Sequence, residues 1–155
     1  MAIVGLSIGS YRKYQSTLDP DKGTPKATVW LLGSLSVRDR ARLLDNLTSY
    51  AVSFRKANLS PDEVADEDIV SRIPMNQMMV DTFRIGVKGW ENFLDENGKE
   101  IPYATEKTKI CGKEYDLVKM ELVDRVPFDI VRELHNEIMS DNAVAEEEVK
   151  NSKKR

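Results

Sequence analysis

The sequence predicts an α+β fold, with a few short antiparallel strands and three to four amphipathic helices in a single domain. Apolar residues recur every three or four positions in separated stretches, the period of helices that bury one face. Between them stand short runs rich in β-branched and aromatic residues, bounded by proline or glycine. Asn97-Gly98 is a tight hairpin signal. At 155 residues the chain suits one domain with an ordinary core.

Residues 1–26 read as an extended N-terminal arm, a poorly ordered terminus with one or two short strands. The apolar start, Met1 to Ile8, is short and lacks a leading basic region, so it suits neither a signal peptide nor a membrane span. Asp19 to Pro25 is dense in turn residues. An apolar, β-capable arm of this kind is also a candidate for pairing with a partner's strand. The globular part is expected over 27–142, opening with the strand Ala27-Thr28-Val29-Trp30-Leu31-Leu32 between Pro25 and Gly33.

Ser36 follows as a helix N-cap, with Asp39 three residues on in the place of the usual Glu or Gln. The helix is expected to reach about Lys56, burying Val37, Ala41, Leu44, Leu47, Ala51 and Phe54. Arg38, Arg40 and Arg42 then fall on its solvated face, although three arginines are also a conceivable anion site. Residues 57–73 form an acidic spacer. Asp62, Glu63, Asp66, Glu67 and Asp68 place five carboxylates in seven residues, but without the glycine and alternating ligands of a calcium loop. An exposed linker is the expected reading, with divalent-metal chemistry as the enzymatic alternative.

Pro74 disfavours helical geometry at Ile73, so a helix is expected to begin there. Met75, Met78, Met79 and Phe83 share about one face of it. Gly86 and Gly89 either release the backbone from the helix or admit a neighbouring element. Trp90 and Phe93 lie three apart and would point the same way in one helical turn. This aromatic and methionine hub is either core or an adaptable docking surface. The partner-binding candidates are therefore Trp90, Phe93, Met75, Met78 and Met79.

Pro102 demotes Ile101-Pro102-Tyr103 to an edge or irregular strand. Thr108 to Tyr115 suits a second hairpin around Cys111-Gly112, with Cys111 buried or half-buried. Leu117, Val118, Met120, Leu122 and Val123 read as a short apolar helix. A last helix from Asp124–Pro127 onward buries Phe128, Val131, Leu134 and Ile138, with His135 packed beside that stripe. Residues 143–155 form a charged, frayed tail.

A formal net charge of −3 with scattered basic residues is a poor match for nucleic acid. One cysteine and one histidine exclude an intrachain disulfide and the usual Cys/His zinc site. No Walker loop, GxGxxG, GxSxG or HExxH occurs. No catalytic, cofactor-binding or metal-binding residue is assigned.

The order of landmarks resembles small proteins from the morphogenesis regions of long-tailed bacteriophages and prophages. The resemblance spans roughly 27–151: the strand Thr28 to Leu32, a Leu-Ser link into a helix, an acidic spacer and Phe83 to Phe93. The turn Asp95 to Gly98, the helix Glu133 to Ile138 and a charged end complete it. Its most specific motif is Gly89-Trp90-Glu91-Asn92-Phe93.

Members look similar to tail-assembly chaperones. The resemblance implies no enzymatic activity and no cofactor. The implied partner is a tape-measure or tail-tube protein, and the implied place the host cytoplasm, with homo-oligomers possible. The apolar arm and Cys111-Gly112 depart from the pattern. They leave a second expectation, a minor structural virion protein at the neck, connector or tail completion, with portal or neck-ring neighbours.

Overall fold

A computed structural model describes residues 9–46 and 75–140, together with Ile3 and Gly5. The second half of the helix expected to reach Lys56, with Leu47, Ala51 and Phe54, lies outside them, as do the spacer at 57–73, Pro74, residues 141–142, the tail at 143–155 and most of the first eight residues. Two small antiparallel sheets and four helices make up the described part. Strands β1 (Tyr11–Tyr14), β2 (Val29–Gly33) and β3 (Val87–Glu91) form one sheet in that order. Strands β4 (Thr105–Ile110) and β5 (Lys113–Val118) form a separate hairpin. The helices are α1 (37–46), α2 (Met75–Gly86), the short α3 (Met120–Val123) and α4 (Phe128–Met139). The expected α+β class holds.

One of the short strands expected in the N-terminal arm is present. Tyr11–Tyr14 is an edge strand of the three-stranded sheet, pairing Tyr11 with Gly33 and Tyr14 with Trp30. Its inward side chains bond to α4: Arg12 donates to the Glu137 carbonyl at 2.8 Å and Tyr14 to the Glu133 carboxylate at 2.7 Å. Polar side chains fasten the strand here, and apolar periodicity does not foresee that docking.

At the hub the backbone leaves the helix at Gly86, one of the two roles open to that glycine, and Trp90 lies in a strand instead of a helical turn. Helix α2 ends at Gly86 and β3 begins at Val87 with no residue between them. Trp90 pairs directly with Trp30 across β2 and β3. In a regular strand Phe93, three residues on, would face the opposite side. Asn92, at φ 59°, breaks the alternation, and the Trp90 and Phe93 rings lie 5.3 Å apart. Asn92 is held in that left-handed conformation by its surroundings. Its amide donates to the carbonyls of Pro25 and Ala27, while its own carbonyl accepts from Thr28 Oγ1.

Further along, the Asn97-Gly98 turn forms as expected, with Gly98 at φ 76° and the Asp95 carboxylate accepting from the Asn97 and Lys99 amides. Residues 101–104 are irregular. The Cys111-Gly112 hairpin also forms, both residues having positive φ, as the two-residue turn that suits strand twist requires. Cys111 is exposed there, not half-buried. Leu117 and Val118 belong to β5, not to a helix. In α4, Val131, Leu134 and Ile138 are buried as expected, but Phe128 stays 44% exposed, because it opens the helix beyond the edge of the core.

Glu133 is the main polar fastener between α4 and the first strand. Its carboxylate accepts from Tyr14 OH, Ser16 Oγ, the Thr17 amide and Thr17 Oγ1. Burial pushes this carboxyl up, but the bonds from Ser16, Thr17 and Tyr14 outweigh it and hold it down, from 4.5 to about 2. A folded-state pKa below the unfolded one gives stability that is complete above the unfolded value. That stability is lost as pH falls from about 4.5 through about 2. Glu133→Gln should therefore cost roughly 1–2 kcal/mol at neutral pH, a figure already reduced for solvent screening of a part-exposed group. Urea titrations at several pH values should show the variant and the parent converging toward pH 2. A difference that does not change with pH would place the effect in packing alone.

Candidate protein-binding surface

The sequence-derived docking candidates divide once placed. Trp90 (7% exposed), Phe93 (9%) and Met78 (6%) are buried, which removes them as surface groups. Trp90 is packed by rings on three sides, with Trp30, Phe93 and Tyr103 centroids at 5.8, 5.3 and 5.0 Å. Its indole Nε1 donates to the Ile101 carbonyl at 2.7 Å. Met79 is half-buried against the core. Only Met75, 50% exposed, is open to a partner. Aromatic and methionine content marked an apolar cluster without telling its inside from its outside.

The surface that does present apolar groups is on α1, and there the expected orientation is reversed. Ser36 caps the helix, its Oγ accepting from the Asp39 amide at 3.1 Å. The inward face is mostly polar. Arg40 Nη1 donates to the Met139 carbonyl at the end of α4 at 3.1 Å. Arg42 Nη1 donates to Tyr115 OH at 2.9 Å, which in turn donates to Asp39 Oδ1 at 2.6 Å. Asn46 donates to Asp81. Burial pushes the Asp39 carboxyl up, but hydrogen bonds from Tyr115 and Ser36 overcome it and leave the group below its usual range. Leu43 supplies the apolar contact on this face, at 2% exposed.

Directional bonds to α4, β5 and α2 thus fix which way the helix turns. Val37 is left 75% exposed, Leu44 50% exposed and Ala41 exposed. Of the arginines read as one solvated face, Arg38 alone is in that position. Arg42 is a structural tie to Tyr115, and Arg40 is tied to Met139 through Nη1 alone, its Nε and Nη2 being buried without a hydrogen-bond partner among the described residues.

The remaining polar clusters are also occupied by the fold. Arg84, 6% exposed, donates from Nε to the Val118 carbonyl and from Nη2 to Glu106 and Thr108. Glu106 also accepts the first amide of α3. This joins α2 to the β4–β5 hairpin and to the start of α3. Asp81 accepts from Gln77 and Asn46, and burial raises its pKa against those bonds. His135 is packed, at 8% exposed, and burial lowers its pKa.

A shallow concavity of about 350 Å³ lies at the Asp95–Asn97 turn, bounded by Leu94, Ile101 and Arg125. Among the described residues, no group of three or more His, Cys, Asp or Glu stands close enough to hold a metal ion. The acidic run at 62–68 lies outside those residues. Among them, too, no helix is long and apolar enough to cross a membrane.

The missed signal was recoverable in part. Asp39, Arg40, Arg42 and Asn46 occur in one helix with Ser36 as cap, and that density of short-range polar partners suits an inward face rich in hydrogen bonds. Comparison with family models, curated proteins and solved structures gives no match.

Proposed function

We propose that this protein is a non-enzymatic assembly factor of the tail-assembly-chaperone kind, which binds a tape-measure or tail-tube protein in the host cytoplasm. The observation that carries the reading is the inverted polarity of α1. Its polar residues hold the body of the protein while Val37, Ala41 and Leu44 face outward. An apolar helical stripe displayed on a hydrogen-bonded base suits a partner that brings its own apolar face, as helix-in-groove and helix-on-helix recognition do. The motif Gly89-Trp90-Glu91-Asn92-Phe93 supports the resemblance, and its role in this fold is to build the core beneath the sheet.

The test has two parts. Mass spectrometry of purified phage particles beside the lysate that produced them should find the protein in the lysate and not in the particles. A fixed small copy number per particle would overturn the chaperone reading in favour of a neck or connector component. Binding of recombinant tape-measure and tail-tube proteins of the same phage should fall at least about ten-fold in Val37→Glu and Ala41→Glu. Both positions are exposed, so stability should stay within about 0.5 kcal/mol of the parent. Undiminished binding in both variants would remove α1 as the docking face.

A further inference from the structure

We propose that the outward face of α1 is self-complementary and pairs antiparallel with the same face of a second copy of this chain. The inference rests on the reading of α1 as a protein-binding face, and it names a partner that the reading does not.

Five residues of α1 face outward: Val37, Arg38, Ala41, Leu44 and Asp45. At about 100° per residue, Ala41 lies at the middle of that face. Val37 and Leu44 fall on one flank of it, and Arg38 and Asp45 on the other. The face is therefore half apolar and half charged, with a cation toward its start and an anion toward its end. Among the described residues neither Arg38 nor Asp45 makes an ion pair within the molecule.

A two-fold axis passing beside Ala41, perpendicular to both helices, keeps each flank on its own side and reverses direction along the helix. Under that operation Arg38 of one copy meets Asp45 of the other, and Val37 meets Leu44. Each pair differs in height by only about 1.5 Å, one residue's rise. The two Ala41 residues meet at the axis, where a small side chain lets the helices approach. The dyad makes every contact twice, as an isologous interface does.

A parallel pairing does neither. Its axis runs along the helices and swaps the flanks, setting apolar residues against charged ones. The charge pattern thus selects both the occupant and its direction. The seam is short by the standard of stable interfaces, so the dimer is a weak one that dissociates on dilution and can yield the same face to another partner.

Sedimentation equilibrium of the full-length chain over a concentration series should show a monomer–dimer equilibrium. Arg38→Glu and Asp45→Lys should each weaken it at least about ten-fold, because each sets like charges together at both ends of the seam. The double variant R38E/D45K should regain the parent's association. So should an equimolar mixture of the two single variants, as a heterodimer. Circular dichroism should show all of them folded, since both side chains are exposed.

A parent that stays monomeric throughout would overturn the proposal, and so would a double variant that associates no better than the singles. A parent dimer indifferent to both reversals would place the seam elsewhere and overturn it equally. Titrating the same samples with the recombinant tape-measure protein separates the two readings. A monomeric parent that binds it overturns the dimer and leaves the assembly role standing. A dimer with the expected charge response that binds neither it nor the tail-tube protein supports the dimer and overturns the assembly role.

Discussion

Trp90→Ala should destabilise the protein by roughly 3–5 kcal/mol, the range for removing a buried aromatic ring from a core that cannot fully collapse. The ring is 7% exposed and stands edge-on to Trp30 and to Tyr103, with interplanar angles of 75° and 84°. Such aromatic pairs add stabilisation beyond the area they bury. The indole N–H also satisfies the Ile101 carbonyl, which the alanine variant would leave with one partner fewer.

Trp90→Phe isolates that last contribution. It keeps most of the ring packing and should cost about 1–2 kcal/mol for the lost hydrogen bond and the smaller ring. Urea unfolding should report both effects as shifts in midpoint at nearly constant slope. A Trp90→Ala variant of unchanged stability that lost only partner binding would mean the ring is a docking group after all, and the core described above would be wrong at its centre.

What the sequence made legible follows from how local each determinant is. The strand at Ala27–Leu32 was readable because β-branched and aromatic residues sit between a proline and a glycine, and β2 occupies Val29–Gly33. Both hairpin turns were readable because Gly98 and Gly112 adopt positive φ, a need that leaves a mark in composition. The inner stripe of α4 was readable at Val131, Leu134 and Ile138, where apolar periodicity and burial coincide.

What the sequence left open in the docking of β1 and the orientation of α1 turns on long-range polar bonds. Arg12 reaches Glu137 and Tyr14 reaches Glu133 across more than a hundred residues, and these contacts bring β1 into the fold. Arg40 reaches Met139 and Arg42 reaches Tyr115, which turns the apolar stripe of α1 outward. A periodicity argument assumes that the apolar face is the buried one, and tertiary hydrogen bonds broke that assumption. Of the candidate surface, the apolar residues Val37, Ala41 and Leu44 were therefore visible as a stripe, while the direction in which it points was not. The geometry of the hub was open because two backbone paths give the same contact. Asn92 in left-handed conformation lets a strand bring Trp90 and Phe93 together, and a helical turn would have done the same, so the spacing alone could not separate them.

Gly86 carries the second large effect. A Cβ built on it would lie 2.5, 2.8 and 2.9 Å from Cδ1, Cγ2 and Cγ1 of Ile138. Three atoms of one side chain are too close, so no single rotation of its tip relieves the clash. Ile138 is itself 1% exposed, with little room to retreat. The position is the last residue of α2, and its φ is not among the positive values that call for glycine. The requirement is thus close approach of α2 to α4 and not backbone freedom.

Alanine gains about 0.5–1 kcal/mol of helix propensity over glycine but forces core side chains off their places, which typically costs 1–3 kcal/mol. The net expectation for Gly86→Ala is a loss of about 1–2 kcal/mol, and for the bulkier Gly86→Val about 3 kcal/mol or more. The clash also predicts a specific coupling. Ile138→Val, which removes Cδ1, should cost about 0.5–1.5 kcal/mol in the parent but little or nothing in the Gly86→Ala background. A double-mutant cycle by urea unfolding measures that difference directly. Simple additivity of the two costs would show that the approach of Gly86 to Ile138 does not set the α2–α4 distance, and that the packing of the two helices is governed from elsewhere along their length.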